Sequence, residues 1–290
     1  MIKFKIFFNI LLKFSLKIKG LISFVFEVFI PLKKSSANVD VIISVHPKDI
    51  VTLENCINAV KINLLHNIKN FFIISQNHPE VQKIAIANSC TFIEENKVLN
   101  KHKLSISYNY NNQDRSNWLY QQLLNYQAAI TLGDSDLKFS IDSDTILSRK
   151  QKFEKGNKIV LNVCDSYYLD HLYISKKLLN IKNFSNYSFT SHHIIYSKKY
   201  LLEMLSLLET RFKKKWYKAI LDNIDYSIHS NHSEFETYGQ YIINKYRNNI
   251  KLEFWFNKTM FTKDENKIKN KFNCFFYKSL SFHSWINKKY

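Results

Sequence analysis

Glycine and proline are scarce in this chain, with 4 and 3 copies in 290 residues. Few turns are therefore punctuated, and element boundaries have to be read from hydrophobic periodicity. Cysteine is scarce too. Cys56, Cys90, Cys164 and Cys274 lie far apart with no CxxC pair, which excludes a disulfide framework or a zinc site and leaves reduced, mostly buried thiols of a cytosolic protein. No uninterrupted run of 18 apolar residues occurs, so no transmembrane helix is expected. The N-terminal apolar zone has lysines inside it and no small-residue cleavage site after it, unlike a secretory signal peptide. Internal repeats are absent, and the one low-complexity stretch is a Lys/Asn-rich loop at 257–271. Acids are outnumbered, 24 against 42 Lys and Arg, for a net charge of +18. That surplus calls for an anionic counterpart: nucleic acid, anionic lipid or a phosphorylated substrate. Zinc spacing, helix-turn-helix cues and RNP-like aromatic motifs are all missing and the lysines are scattered, which argues against nucleic acid despite 17 Tyr and 23 Phe.

What is present suffices for a large core: 46% hydrophobic and 15% aromatic residues, in one large domain or one domain with an appendage. Residues 1–36 form a separate compositional zone, with seven lysines (3, 5, 13, 17, 19, 33 and 34) against one acid, Glu27. On a helical wheel Lys5, Asn9, Lys13, Lys17 and Gly20 share one side, and Phe, Ile and Leu fill the rest. This reads as a basic amphipathic helix in a membrane interface; a helical hairpin packed on its own domain is the alternative. The expected placement is cytoplasmic, attached peripherally to the inner face of the cell membrane. Residues 37–290 form the main domain.

There the periodicity alternates. Val39–Val45 is a β-branched run broken by His46-Pro47-Lys48-Asp49, and Ile50, Leu53, Ile57, Val60 and Leu64 follow at helical spacing. Phe71–Ser75 predicts a second strand, Pro79 opens a helix to Ala87, and Thr91–Ile93 predicts a third strand. The helix from Ser116 to about Leu132 takes Ser116 as its cap and buries Leu119, Leu123 and Tyr126. Trp118, Gln121 and Gln122 read equally well as core and solvent face. Strands are also predicted at Lys158–Cys164, at 251–256 and at Phe272–Tyr277, a strand or turn at Tyr187–Tyr196, and helices over 198–222 and Ser233 to about Arg247. The basic run Arg211–Lys215 reads as a solvated face or an extension of an anionic-membrane contact. Strands alternating with helices predict an α/β fold, a mostly parallel Rossmann-type sheet flanked by helices, with ligands at the strands' carboxyl ends. His46 to Asp49, Ser75-Gln76 and Asp142 to Asp144 then share one edge.

Leu137–Thr145 carries the chemistry. An apolar strand ends in Asp142-Ser143-Asp144, two carboxylates able to aim at one divalent cation, and hard cations favour two carboxylates plus substrate phosphates. Metal-assisted chemistry on an activated phosphate compound follows. A strand followed by Asp-x-Asp-Thr also resembles the nucleophile loop of haloacid-dehalogenase-like phosphatases, in which Asp142 would attack phosphorus. Against that, three strand-helix units precede the loop and no acid pair for Mg2+ follows. Ser191-His192-His193 places adjacent imidazoles on opposite strand faces, so one at most reaches a given site. Ser233 and Glu236 form a capping box, which frees Glu234 to face a substrate. Arg115, just before a helix, suggests a phosphate-facing cation.

Taken in order, Val41–Asp49, Phe71–Gln76, Trp118–Gln122, Phe139–Thr145, Ser191-His192 and Ser233–Tyr238 resemble bacterial glycosyltransferases of the GT-A type, in particular a glycosyltransferase-like group from an uncharacterised-domain family. The resemblance covers roughly residues 38–285. It implies that Asp142 and Asp144 hold Mn2+ or Mg2+ on the diphosphate of a nucleotide-sugar donor, with His283 as a further metal ligand. It implies a nucleotide pocket lined by His46, Pro47, Asp49, Ser75 and Gln76, which Arg115, Gln121 and Gln122 border. Glu234 or Glu236 would be the base and His192 would lie near the acceptor, a cell-envelope glycan or a lipid-linked sugar.

Overall fold

The computed structural model of the chain describes residues 2–30, 32–166, 168–181, 185, 187–260 and 276–283, with side chains throughout these except at 2–13, 28 and 103. The N-terminal zone is one continuous helix, α1 (Ile2–Phe29), not a hairpin. After it, β1 (Asn38–Val45), α2 (Ile50–Asn63), β2 (Asn67–Ser75), α3 (Pro79–Ala87) and β3 (Thr91–Glu94) follow the alternation expected from the sequence. A short α4 (Glu95–Val98) leads to the hairpin β4 (Asn109–Tyr110) and β5 (Gln113–Asp114). Its two-residue loop is Asn111-Asn112, both at positive φ, a conformation asparagine tolerates well and tight hairpins need. Next come α5 (Ser116–Thr131), β6 (Leu137–Ile141), β7 (Thr145–Leu147), β8 (Glu154–Lys155), β9 (Lys158–Val163), α6 (Leu169–Leu179) and β10 (His193–Ser197). The chain continues through α7 (Lys198–Phe212), α8 (Trp216–Leu221), α9 (Glu234–Lys245), β11 (Ile250–Phe254), β12 (Asn257–Thr259) and β13 (Ser279–Ser281).

The central sheet runs β10-β6-β1-β2-β3, with β6, β1, β2 and β3 parallel and β10 antiparallel at the edge. Every residue of β1 after Asn38 is buried, as expected of a parallel strand covered on both faces. Two smaller sheets, β11-β9-β8 and β12-β13-β7, extend the fold. Inside the central sheet, Asp40 and Lys138 sit opposite one another on β1 and β6, both fully buried, with Nζ 2.5 Å from Oδ2. The Asp40 carboxylate also accepts from Ser135 N–H and Oγ and from Asn70 Nδ2. A buried charge pair survives only when its remaining hydrogen-bonding capacity is satisfied, and this one is. Gly133 makes room for it: at φ +60°, a Cβ there would lie 2.2 Å from Asp40 Oδ2.

Several boundaries differ from the sequence reading. The helix expected over 198–222 is two helices, because Lys213 adopts a left-handed φ of 55° and ends α7. Of Tyr187–Tyr196, expected as a strand or turn, the last four residues join Ser197 in β10. Ser116 is the first residue of α5 and not its cap. Its N–H bonds Asp114 Oδ1 and its hydroxyl accepts from Tyr108 N–H. Cys56, Cys90 and Cys164 are buried free thiols, as expected. Cys274, Trp285, most of the Lys/Asn-rich loop and most of the strand expected at Phe272–Tyr277 lie outside the described residues. No described helix is long and apolar enough to cross a membrane.

Candidate active site

β6 ends at Ile141, and the chain turns at once so that Thr145 N–H bonds the Asp142 carbonyl at 3.0 Å. Beneath the turn, α2 fixes it: Thr52 Oγ1 donates to the Ser143 carbonyl and the buried Cys56 thiol to that of Asp142. Both carboxylates are thereby held at the carboxyl edge of the sheet. Asp142 keeps 33% of its side chain exposed and Asp144 17%, so neither is sealed in the interior.

Two antiparallel pairings then deliver two distant histidines. β10 lies against β6 with His193 opposite Ile141, and His192 O accepts from Asp142 N–H at 3.0 Å. His192 itself takes a left-handed φ of 63°, which brings its Nδ1 3.1 Å from Asp142 Oδ2. β13 lies against β7 with Ser281 opposite Thr145, and Phe282 N–H bonds the Asp144 carbonyl. His283 Nδ1 is in consequence 3.1 Å from Asp144 Oδ2. The two imidazole rings are 4.8 Å apart, centroid to centroid. His192 precedes β10 in a left-handed conformation, so it is not by strand alternation that His193 points elsewhere. It is buried against Trp255 and bonded to Asn162 Oδ1, and burial pushes its pKa down to about 3.

The electrostatics of the two pairs differ. Burial lifts the Asp142 carboxyl above its usual range against the pull of His192, and the Asp144 charge adds to the rise. Burial opposes charge on His192 as well, but its bond to Asp142 outweighs that and raises it. Burial also opposes ionisation of Asp144, yet the hydrogen bond and charge of His283 hold its carboxyl below the usual range. In donor chemistry, two carboxylates and two imidazoles suit a divalent ion of intermediate hardness such as Mn2+, and Mg2+ through the carboxylates. Among the described residues no three such side chains converge on one point. The cluster is two Asp–His pairs side by side, and the donor types fit a cation.

On the same edge, at the ends of β1 and β2, opens a small cleft of about 20 Å³. His46, Gln76 and Gln121 line it, together with Ser44, Glu95, Asn117 and Tyr120, which the sequence did not single out. Burial and Lys48 push His46 below its ordinary pKa. The other expected donor contacts lie differently. Ser75 is buried and donates to the Val45 carbonyl. Asp49 is buried at the start of α2, and Pro47 opens the short 3-10 turn before it. Gln122 accepts from Glu234 N–H at 3.4 Å. Arg115 is half-buried, 4.6 Å over the Trp118 ring and bonded to Ser230 Oγ.

Both glutamates expected as a base are enclosed. Glu236 is 1% exposed, and its carboxylate accepts from Phe189 N–H, Ser188 Oγ and Gln240 Nε2. Ser233 Oγ caps α9 through Glu236 N–H, the half of the capping box the sequence predicted correctly. Glu234, expected to face a substrate, is 2% exposed. The reason is α5 packing over it: Asn125 Nδ2 donates to Glu234 Oε1 at 2.8 Å, and Ser44 Oγ donates to Asn125 Oδ1 at 2.7 Å. Burial, with a contribution from Asp142, pushes Glu234 up to about 8, so it is neutral at pH 7. Asn125 thus links the cleft to α9. In sequence it reads only as one more polar residue on an amphipathic helix.

Comparison with solved structures finds similarity to a galactosyltransferase, LgtC, in complex with donor and acceptor sugar analogues, at 11% identity and TM-score 0.45 over 84% of this chain and 86% of that one. Mouse xyloside xylosyltransferase 1 is similar at 10% identity and TM-score 0.46, over 87% and 99% of the two chains. Glucosyl-3-phosphoglycerate synthase from Mycobacterium tuberculosis, in complex with Mn2+, uridine diphosphate and phosphoglyceric acid, is similar at 11% identity and TM-score 0.37, over 62% and 66%. No curated protein matches. A family model matches residues 56–290, most of the chain, and the protein belongs to that family, a family of unknown function (DUF6492).

Proposed function

We propose that the protein is a metal-dependent glycosyltransferase of the GT-A type, moving a sugar from a nucleotide donor to a cell-envelope glycan or a lipid-linked acceptor. The observation that carries this reading is the cluster of Asp142, Asp144, His192 and His283 on the sheet edge that also carries the cleft. Asp142 and Asp144 would hold Mn2+ or Mg2+ together with the donor's phosphates, with His283, bonded to Asp144, as the further candidate ligand. The ion would supply positive charge for a departing diphosphate, a contribution of several kcal/mol in such sites. His192 orients Asp142. The nucleoside would lie along the edge that His46, Gln76 and Gln121 line, where Ser44 is braced through Asn125 by Glu234. Neutral and enclosed, Glu234 acts as a brace, and Glu236 holds the 188–189 backbone ahead of His192. Both roles place the two acids under the site. The basic N-terminal zone keeps the enzyme at the anionic cytoplasmic face of the membrane, where such acceptors are presented.

The test is hydrolysis of a panel of sugar nucleotides with and without Mn2+. Asp142→Asn and Asp144→Asn should each lower metal-dependent turnover by about 100-fold or more, with melting temperature unchanged within a few degrees. Full turnover in both variants, or no donor turned over by the unaltered protein, overturns the proposal.

A further inference from the structure

α1 presents two unlike faces. One is fastened to the domain. Lys17 pairs with Asp165 at 2.7 Å, Glu27 with Arg149 at 3.0 Å, and Phe24 lies under the Arg149 guanidinium. Gly20 lets the helix approach closely, since a Cβ there would meet the Phe256 ring at 2.9 Å. Lys17 and Gly20 belong to the polar side of the wheel, so that side faces the protein. The opposite face is apolar and bare: Phe14, Ile18, Leu21, Ile22, Val25 and Phe26, continued by Phe29 and Ile30, are 40–78% exposed. Their spacing of three and four residues makes one continuous ridge. A contiguous apolar ridge of this size marks a contact surface rather than the scattered exposure of ordinary surfaces.

We infer that this ridge inserts into the interfacial layer of an anionic bilayer, with the domain seated on the helix's other side. The reading rests on the membrane attachment proposed above and specifies its chemistry: apolar insertion by named side chains rather than charge attraction alone. Charge complementarity selects lipid as the occupant. Lys19, Lys33 and Lys34 are exposed on or just beyond the helix, and the only acid of the zone, Glu27, is turned inward and neutralised by Arg149. A second copy of this chain would instead bring like charges together. The fastening gives the attachment a direction as well. Arg149 lies five residues beyond Asp144, with β7 between them, so at most about 17 Å of extended chain separates the metal-binding turn from the membrane helix. An acceptor embedded in lipid would thus lie within reach of the site.

Vesicle flotation tests this, using phosphatidylcholine alone and phosphatidylcholine mixed with phosphatidylglycerol. The full chain should float with the anionic vesicles. The triple variant Ile22→Gln, Val25→Gln, Phe29→Gln keeps good helix formers on an exposed face, so it should fold normally and bind at least tenfold more weakly. Lys19→Gln, Lys33→Gln, Lys34→Gln should lose the preference for anionic over neutral vesicles. Flotation of the triple ridge variant at full strength refutes apolar insertion while leaving membrane attachment standing. No flotation of the unaltered chain with either vesicle refutes both. A dimer in sedimentation that the ridge variant converts to monomer assigns the ridge to self-association and overturns the lipid assignment. Sugar-nucleotide hydrolysis in solution, measured on the same samples, reports separately on the transferase reading.

Discussion

Glu234→Gln should make the protein more stable at high pH than the unaltered chain, by an amount that grows with pH. Glu234 is 2% exposed, and its pKa in the fold is about 8 against 4.5 for an ordinary glutamate. Between those values the folded chain keeps a proton that the unfolded chain has released. Stability contributed at this position therefore falls as pH rises from about 4.5 to 8 and is constant above. The interval of about 3.5 pH units corresponds to at most about 5 kcal/mol, a large share of the about 5–15 kcal/mol that holds a domain folded. Glutamine keeps the carbonyl oxygen that accepts from Asn125 Nδ2 and does not titrate. Urea denaturation followed by tryptophan fluorescence, at about pH 5 and about pH 8.5, would read the effect. Every other titrating group is common to the two proteins and cancels in the difference. The variant should gain about 2–5 kcal/mol relative to the unaltered chain between the two conditions. An unchanged difference would mean that Glu234 is already ionised in the fold, and the argument that it braces the site as a neutral group would fail.

Two further substitutions probe the frame around the site. Asp40→Ala leaves the Lys138 ammonium buried without its counter-charge and should cost about 3–5 kcal/mol in chemical denaturation; a loss below about 1 kcal/mol would show that Lys138 gives up its charge instead. Gly239→Ala places a Cβ 2.3 Å from Phe189 Cγ, so α9 or the 188–192 segment must move. Stability should fall by about 1–3 kcal/mol, and because His192 follows Phe189 by three residues, sugar-nucleotide turnover should fall with it. An unaltered melting temperature would refute the predicted overlap.

Local chemistry decided much of this molecule before any tertiary contact. The β-branched-rich run Val39–Val45 and the short apolar run Leu137–Ile141 favour buried strands, the helical spacing from Ile50 to Leu64 favours a helix, and all three appear where the pattern puts them. The Asp142–Asp144 pair was legible for the same reason, as two carboxylates at a strand end. So was the basic and apolar division of the first helix. Tertiary structure alone decided what meets what. His192 and His283 lie 50 and 139 residues beyond their carboxylate partners, and only the pairing of β10 with β6 and of β13 with β7 joins them. Whether an acid faces solvent or the interior is likewise invisible in sequence. Glu234 sits in the first turn of an amphipathic helix, where either is allowed, and α5 closing over it through Asn125 made it a buried, neutral brace. The wheel of α1 distinguished two faces, but only packing against β11 and Arg149 turned its polar side inward and left its apolar side bare. Periodicity fixes which residues share a face; the surface each face meets depends on segments far away along the chain.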